Sequence, residues 1–215
     1  IPTTAGTGSE VIFNAAFIDR ASKKKMGINS MHNFPRLAIL DPLLIASCPR
    51  SVALSSGMDA LVHAMESYIA VGANPVTRAC AKEAFALLFN NLLTAVNDTS
   101  NVECVAKLQM GAYLAGVSLF NAGSGIAGAL SYPLGVHFNV PHGIAGAVFL
   151  APIVAYNADH GYDYKELYNL IDNIDHSVPD KNKKFVEKLF SLTNALGVPR
   201  TLHQFGVTSE NVDIL

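Results

Sequence analysis

The chain has 215 residues, of which 50% are apolar and 15% are charged, and its formal net charge is -2. This length suits one large or two modest domains with a buried core. A nearly balanced charge argues against nucleic acid as the main partner. No apolar run reaches the stretch of about 18 uncharged residues that a membrane span needs. We therefore expect neither nucleic acid nor a membrane as a partner.

Three cysteines, Cys48, Cys80 and Cys104, stand far apart with no Cys-x-x-Cys spacing. An odd count without a pairing pattern fits a reducing compartment, so we expect a cytoplasmic protein. The apolar, sparsely charged composition predicts that part of the surface faces another domain or subunit, most simply in a homodimer or larger homo-oligomer. The sequence begins at Ile1 without an initiator Met, and we expect it to be a fragment of a longer chain.

The chain changes character near residue 42, from strands and loops to helices. β-Branched and aromatic runs predict strands at residues 11–18, 25–29 and 37–40, which are closed by Asp41-Pro42. Periodic apolar patterns then predict helices at residues 51–71, 76–97, 102–120, 126–134, 144–157, 164–174 and 184–196. Thr208 to Glu210 has the composition of a further helix start. The fold class is therefore mainly α with a small β region in front.

The front of the chain carries the small, hydroxyl-rich loop TTAGTGSE at residues 3–10. Gly6 and Gly8 would let backbone amides approach a ligand, which suits a phosphate or nicotinamide cradle. An ordinary Gly/Thr turn explains the same residues. The loop is neither a Walker A motif nor a Rossmann fingerprint, because no Gly-Lys-Ser/Thr follows and the loop precedes a strand. A lysine of the later run at residues 23–25 could reach a cofactor phosphate or ribose, or simply be solvated.

A carboxylate and an imidazole stand four residues apart in the apolar, helix-prone stretch GMDALVHAMESY at residues 57–68. Positions i and i+4 lie on one face of a helix, so Asp59 and His63 could hold one divalent metal. A helix-face hydrogen bond is the alternative. His142, at the start of another apolar helix, is a third candidate, unless it only packs at that helix terminus. An Asp/His/His set suits zinc or ferrous iron with an open position.

Three blocks of this sequence together resemble the iron-dependent (group III) alcohol dehydrogenase family. They are PTTAGTGSE at residues 2–10, GMDALVHA at residues 57–64, and YPLG running on to NVPHG at residues 132–143. The resemblance runs through the whole chain. Within the family, the sequence is most similar to the branch that acts on lactaldehyde, propanediol and related small alcohols.

The resemblance implies a dehydroquinate-synthase-like, two-domain fold, in which an α/β domain binds NAD or NADP and an all-helical domain holds Fe²⁺ or Zn²⁺. Residues 1–42 would be the C-terminal edge of the nucleotide domain, and residues 43–215 most of the helical domain. The family positions that contact the cofactor correspond to Thr3, Thr4, Thr7 and Lys25, with Lys25 reaching the nucleotide ribose and residues 44–48 lining the same cleft. Three of the four metal ligands correspond to Asp59, His63 and His142.

Two family histidines are replaced here. The fourth metal ligand of the family corresponds to Gly128, which offers no ligating atom, so the metal site would be weakened. A histidine thought to assist proton transfer or substrate placement corresponds to Tyr132, whose phenol could instead donate to the substrate oxygen. An unperturbed phenol is a poorer acid–base group near neutral pH than an imidazole. His137, which is nearby in the sequence, could swing in to replace a missing histidine.

The resemblance implies Lewis-acid catalysis, in which a metal polarises the oxygen of a small alcohol, aldehyde or ketone while hydride passes to or from the nicotinamide. We therefore expect an NAD(P)-dependent, metal-assisted alcohol dehydrogenase. Two other hypotheses keep the fold. One is a metal-independent reductase, and the other is a non-catalytic, truncated remnant, which the loss of two histidines would suit.

Overall fold

A two-stranded hairpin and a set of α-helices make up residues 1–19 and 21–214, which the computed structural model describes. The hairpin pairs β1 (Asn14–Asp19) with β2 (Lys24–Asn29) in antiparallel register. The helices are α1 (Arg50–Ile69), α2 (Pro75–Asn97), α3 (Val102–Ala122), α4 (Ile126–Phe138), α5 (His142–Asp159), α6 (Lys165–Tyr168) and α7 (Lys181–Ala195). The predicted mainly α fold class with a short β region in front is confirmed.

Side-chain caps define where several helices begin. Asn74 accepts hydrogen bonds from the backbone N–H groups of Val76 and Thr77, while the Thr77 hydroxyl accepts one from the Asn74 N–H. Pro75, which lacks an N–H, occupies the first turn of α2, where no helical donor is needed. The side chains of Asn101 and Asp180 cap α3 and α7, each by accepting one hydrogen bond from a backbone N–H, of Cys104 and of Lys183. These short polar residues explain why the sequence predicted these starts within a few residues.

Helix α1 lies at the centre of the helical core and contacts α2, α3, α4 and α5. An unbroken stretch, Gly57–Val62, is buried, and so are residues 64–68 beyond the partly buried His63. Two acidic residues, Asp59 and Glu66, are among the buried residues of this helix. A buried carboxylate needs a compensating partner, so α1 carries polar groups into the core that the surrounding helices must satisfy.

Within residues 1–19 and 21–214, no single helix is long and apolar enough to cross a membrane. The pair α3 and α4 meets the length and composition criteria only when joined, and the two helices are bent by 105° at their junction.

Two predicted strands differ from the structure. The first begins at Asn14 rather than Val11, because Ser9–Val11 forms a 3-10 turn after Gly8. The predicted strand at residues 37–40 is irregular, and Leu37 and Ile39 are exposed. The described residues provide only a two-stranded sheet, so this apolar segment has no strand beside it to pair with.

Helix α4 continues through Pro133 to Phe138, although we expected it to end at residue 134. Proline removes one helical hydrogen bond at its own position. The fully buried Leu134 and the left-handed Asn139, whose N–H donates to the Leu134 carbonyl, favour the longer helix. Packing and a C-terminal cap therefore outweigh the break that the sequence predicted.

The helices predicted at residues 164–174 and from Thr208 are the remaining differences. Helix α6 is a single turn, because Asn90 of α2 binds the backbone beyond it through the Leu170 carbonyl at 2.9 Å and the Asp172 N–H at 3.0 Å. Those groups are no longer free for helical bonds. The Thr208 segment is a turn followed by the 3-10 helix Val212–Ile214.

Candidate metal centre

Asp59, His63 and His142 form one cluster in the structure. Asp59 and His63 lie one turn apart on α1, and His142 is the first residue of α5. The Nε2 atom of His63 is 3.5 Å from Asp59 Oδ1, and that of His142 is 3.6 Å from the same oxygen. One ligand atom from each residue lies within 4.8 Å of the others. The two histidines therefore converge on a single buried carboxylate oxygen.

A close contact between two helices brings His142 to α1. A Cβ atom at Gly143 would lie 1.8 Å from the backbone oxygen of Ser55 and 3.1 Å from Asp59 Cβ. Only glycine permits this approach, because the obstacle is backbone that cannot move aside without separating the helices. The Pro-His-Gly sequence thus places an imidazole beside Asp59 for a steric reason.

The spacing of the three side chains fits a cation. Hydrogen bonds between N–H groups and oxygen span about 2.7–3.2 Å, which is shorter than either imidazole–carboxylate distance here. Two ligand atoms that each lie about 2.0–2.1 Å from a tetrahedral zinc are about 3.3–3.4 Å apart. The observed 3.5 and 3.6 Å are close to that separation. One carboxylate oxygen and two imidazole nitrogens are also a donor set that suits zinc or ferrous iron.

The two histidines differ in their surroundings. His142 is half-buried, and its Nδ1 atom lies 3.0 Å from the Ser131 hydroxyl oxygen. Burial lowers the pKa of His142, although the Asp59 carboxylate partly opposes this. The neutral imidazole, which is the ligand form, is thereby favoured. The Nδ1 atom of His63 is buried and has no hydrogen-bond partner among the residues that the structure describes.

Helix α4 begins at the carboxylate of Glu66. Its two oxygens accept hydrogen bonds from the N–H of Gly125 at 2.9 Å and of Gly128 at 3.1 Å. Acidic groups are favourable at helix N-termini, where backbone donors are unpaired. A Cβ atom at Gly128 would lie 3.0 Å from Glu66 Oε2, so the carboxylate occupies the space beside this glycine. The sequence analysis did not identify Glu66. Its position seven residues after Asp59, on the same face of an apolar helix, could have indicated a second buried carboxylate.

Tyr132 and Lys25 lie beside the cluster. The Tyr132 ring is partly exposed and its centroid is 5.7 Å from that of the His142 ring. The Lys25 ammonium of β2 lies 3.9 Å from the Tyr132 ring centroid, which is a cation–π contact. Burial lowers the pKa of Lys25, with Asp59 acting in the opposite direction. The hairpin thus brings a positive charge to the edge of the candidate metal centre.

The threonine loop packs on the helices through its glycines. A Cβ atom at Gly6 would lie 2.8 Å from Ser56 Cβ on α1, and one at Gly8 would lie 2.6 Å from Gly116 Cα on α3. Gly8 also has a left-handed backbone, with φ of 62°. These glycines therefore have a structural explanation that the sequence alone did not separate from a ligand cradle.

The remaining predicted residues lie as follows. Thr3 and Thr7 are exposed, Thr4 is partly buried, and the Thr7 hydroxyl accepts a hydrogen bond from the Ser9 N–H. In the segment 44–48, Ile45 and Cys48 are buried. His137 is exposed in the last turn of α4 and does not belong to the group of described residues that could hold a metal ion.

Comparison with known families accounts for most of the chain. Residues 53–215 match the C-terminal part of the Fe-containing alcohol dehydrogenase family, and residues 1–42 match the profile named iron-containing alcohol dehydrogenase. The chain belongs to the iron-containing alcohol dehydrogenase family. The resemblance inferred from the three sequence blocks is thereby confirmed.

Three relatives of this alcohol dehydrogenase family member show how far the similarity extends. The lactaldehyde reductase of Escherichia coli K12 is 31% identical over 218 residues, covering 100% of the chain. A solved structure of 1,3-propanediol oxidoreductase superposes with a TM-score of 0.91 at 34% identity, over 97% of the chain. The sulfoacetaldehyde reductase of Bifidobacterium kashiwanohense in complex with NAD⁺ gives a TM-score of 0.89 at 31% identity, over 99% of the chain. The chain spans 56% of the length of each of these relatives.

Proposed function

We propose that this chain is the metal-binding part of an NAD(P)-dependent, metal-assisted oxidoreductase that interconverts a small alcohol and its aldehyde or ketone. The main support for this proposal is that His63 and His142 both approach Asp59 Oδ1, at 3.5 and 3.6 Å. The chain also belongs to the iron-containing alcohol dehydrogenase family. Asp59, His63 and His142 would hold Fe²⁺ or Zn²⁺. When bound, such an ion supplies Lewis acidity to the substrate oxygen while the nicotinamide exchanges hydride.

Tyr132 is our candidate for a hydrogen-bond donor to the substrate oxygen. Burial raises the pKa of its phenol, and the nearby Glu66 and Asp59 carboxylates act in the same direction. The hydroxyl therefore keeps its proton near neutral pH and can donate it in a hydrogen bond. Its partial exposure beside His142 leaves room for a small substrate.

Lys25, Thr3, Thr4 and Thr7 are our candidates for contact with the nicotinamide cofactor. The family resemblance supports this assignment, and one relative with the same fold is described in complex with NAD⁺. Lys25 lies over the face of Tyr132, so it would join the cofactor side of the site to the substrate side. In this assignment residues 1–42 are the edge of the nucleotide domain and residues 43–215 belong to the helical domain.

The names of the three relatives described above support a small substrate. Lactaldehyde, 1,3-propanediol and sulfoacetaldehyde all place a reacting oxygen on a two- or three-carbon chain. We therefore propose a small primary or secondary alcohol and its carbonyl counterpart as the substrate pair. The three cysteines are free in the structure, which supports a reducing cytoplasmic location.

Metal analysis of the full-length protein tests this function. The protein is loaded anaerobically with Fe²⁺ or Zn²⁺, freed of excess metal and analysed by mass spectrometry. We expect close to one ion per chain in the wild type, and much less in Asp59→Ala. Asp213→Asn, a change at an exposed carboxylate, is the matched control and should bind as the wild type does. A wild type without metal under both loading conditions contradicts the proposal.

Metal removal separates the proposed enzyme from the alternatives. We expect oxidation of NADH or NADPH with lactaldehyde to disappear after treatment with a chelator and to return with added metal. Turnover that survives both chelation and Asp59→Ala would identify a metal-independent reductase. A metal-loaded protein without turnover on small alcohols and aldehydes would indicate a non-catalytic remnant.

A further inference from the structure

Ser131, a residue of α4, is fully buried beside His142 of the candidate metal centre. Its Oγ atom is 2.5 Å from the carbonyl oxygen of Gly128 and 3.0 Å from Nδ1 of His142. Both distances lie in the range of hydrogen bonds. The serine therefore connects one turn of α4 to the imidazole that begins α5.

The position of one proton follows from these two contacts. A carbonyl oxygen can only accept a hydrogen bond, so the Ser131 hydroxyl uses its single proton to donate to the Gly128 carbonyl. The serine oxygen must then accept a hydrogen bond from His142, which places the imidazole N–H at Nδ1. A neutral imidazole with N–H at Nδ1 has a free lone pair at Nε2. That nitrogen is the one that faces Asp59 Oδ1, at 3.6 Å.

We propose that Ser131 is a positioning residue that selects the Nδ1–H tautomer of His142 and thereby presents its Nε2 lone pair to a metal ion. This inference rests on the proposed metal-dependent function. A second hydrogen bond of this kind commonly orients a ligating histidine and strengthens its metal bond. His63 provides the internal contrast, because its buried Nδ1 has no partner among the described residues.

The start of α4 holds the serine in place. Glu66 accepts hydrogen bonds from the N–H groups of Gly125 and Gly128. The Gly128 carbonyl in turn accepts a hydrogen bond from the Ser131 hydroxyl. Position 128 supplies no side-chain ligand, so the donor set has three members. With three ligands instead of four, each imidazole supplies a larger share of the metal affinity, so its orientation has a larger effect than it would in a four-ligand site.

The test measures the tautomer and the metal affinity separately. In the full-length, metal-free protein at pH 8, the ¹⁵N NMR shifts of His142 should show predominantly the Nδ1–H tautomer in the wild type. Ser131→Ala should mix the two tautomers, while Ser131→Thr, which keeps the hydroxyl, should restore the wild-type pattern. Predominance of the Nε2–H tautomer in the wild type overturns the proposal without any variant.

Metal affinity is measured by competition between the protein and a chelator for Zn²⁺. We expect Ser131→Ala to weaken binding by about 10- to 100-fold, as for other residues that orient metal ligands. Ser118→Ala is the matched control, since Ser118 is another fully buried serine, on α3, and donates to the Thr77 carbonyl at 2.9 Å. It should leave the affinity within about twofold of the wild type.

The outcomes distinguish this proposal from the proposed function. A Ser131→Ala protein with wild-type tautomer and affinity contradicts the role of Ser131 and leaves the metal site intact. A wild type that binds no metal contradicts the proposed function, and the tautomer in the metal-free protein still decides whether Ser131 sets the state of His142.

Discussion

At the scale of single residues, Asp59 is the group on which the candidate site depends. Its Oδ1 atom is shared by His63 and His142, and its side chain is buried. Two imidazoles lie within 3.6 Å of this carboxylate, and burial of a carboxylate is costly unless a positive charge compensates it. We therefore expect the contribution of Asp59 to stability to depend on whether a metal ion is bound.

We predict opposite effects of Asp59→Asn with and without metal. A ligand at about 100 times its dissociation constant stabilises the folded state by about 2.7 kcal/mol, so Zn²⁺ should raise the unfolding temperature of the wild type. Asp59→Asn should remove most of that increase and leave the metal-free protein at least as stable as the wild type. Thermal unfolding with and without Zn²⁺ measures both effects. An equal Zn²⁺ shift in the variant would exclude Asp59 as a ligand.

The contributions of the Tyr132 ring and of its hydroxyl can be measured separately. Tyr132→Phe keeps the face on which the Lys25 ammonium lies and removes the phenolic donor. We expect kcat to fall by about 10²-fold, the cost of losing one donor to a reacting oxygen, with the cofactor KM unchanged. Tyr132→Leu should also raise the cofactor KM, because Lys25 loses its support. Wild-type kcat in Tyr132→Phe would show that the phenol takes no part.

We predict that the stability of the metal-free protein depends on pH through His142. Burial lowers its pKa in the folded state below the ordinary 6.5. Below pH 6.5 the unfolded chain therefore binds this proton more readily than the folded chain, and stability falls as the pH decreases. The free energy of unfolding from pH 8 to pH 5 should decrease more steeply in the wild type than in His142→Asn. Identical profiles would contradict a lowered pKa.

At the scale of elements, the contact between α1 and α5 determines the geometry of the site. Gly143→Ala places a Cβ atom 1.8 Å from the Ser55 carbonyl oxygen, so the helices must separate. Overpacking costs about 1–3 kcal/mol, and occasionally more, and the displacement should also weaken metal binding. Denaturant unfolding and Zn²⁺ titration measure the two losses.

Gly135→Ala provides the matched control for Gly143→Ala. The nearest atom to its added Cβ would be the carbonyl oxygen of Val140, just beyond the end of α4, at 3.6 Å, which is ordinary van der Waals contact. Alanine is also the better helix former. This variant should be as stable as the wild type or slightly more stable. If both variants lose stability equally, close approach at Gly143 is not the cause.

At the scale of the whole molecule, the exposed apolar side chains concentrate in the first 44 residues. The large ones are Ile1, Phe17, Ile18, Met26, Ile28, Met31, Leu37, Ile39, Leu43 and Leu44. Exposed apolar groups that lie close together mark surfaces that contact another part of a protein or a second subunit. The hairpin and the segment after it are therefore candidate contact surfaces.

We predict that the full-length protein is a homodimer or larger homo-oligomer. Multi-angle light scattering after gel filtration measures its mass directly. A mass of one chain, independent of protein concentration, would contradict the prediction. Phe17→Lys and Ile28→Lys on the hairpin would show whether this surface takes part, because charges at a buried subunit contact weaken association.

Local sequence was sufficient to predict most elements. Helices α1, α2, α3, α5 and α7 lie within about three residues of their predicted bounds, because apolar periodicity and caps such as Asn74 act over a few residues. The Asp59–His63 pair followed from helix geometry in the same way. The family, too, was recognisable, since its motifs are short and contiguous.

Only the tertiary structure decided the features that depend on distant residues. Asn90 shortens α6, and α4 continues through a proline to bury Leu134. Residues 37–40 have no pairing strand within the part of the chain that the structure describes. In the site, Glu66 of α1 binds the start of α4, about 60 residues away in sequence, and Ser131 of α4 contacts His142 of α5 across a loop. Sequence by itself thus determined the helices, the family and the candidate ligands, because those signals are local. The shared oxygen of Asp59 and the orientation of His142 depend on how α1, α4 and α5 pack, which no local pattern contains.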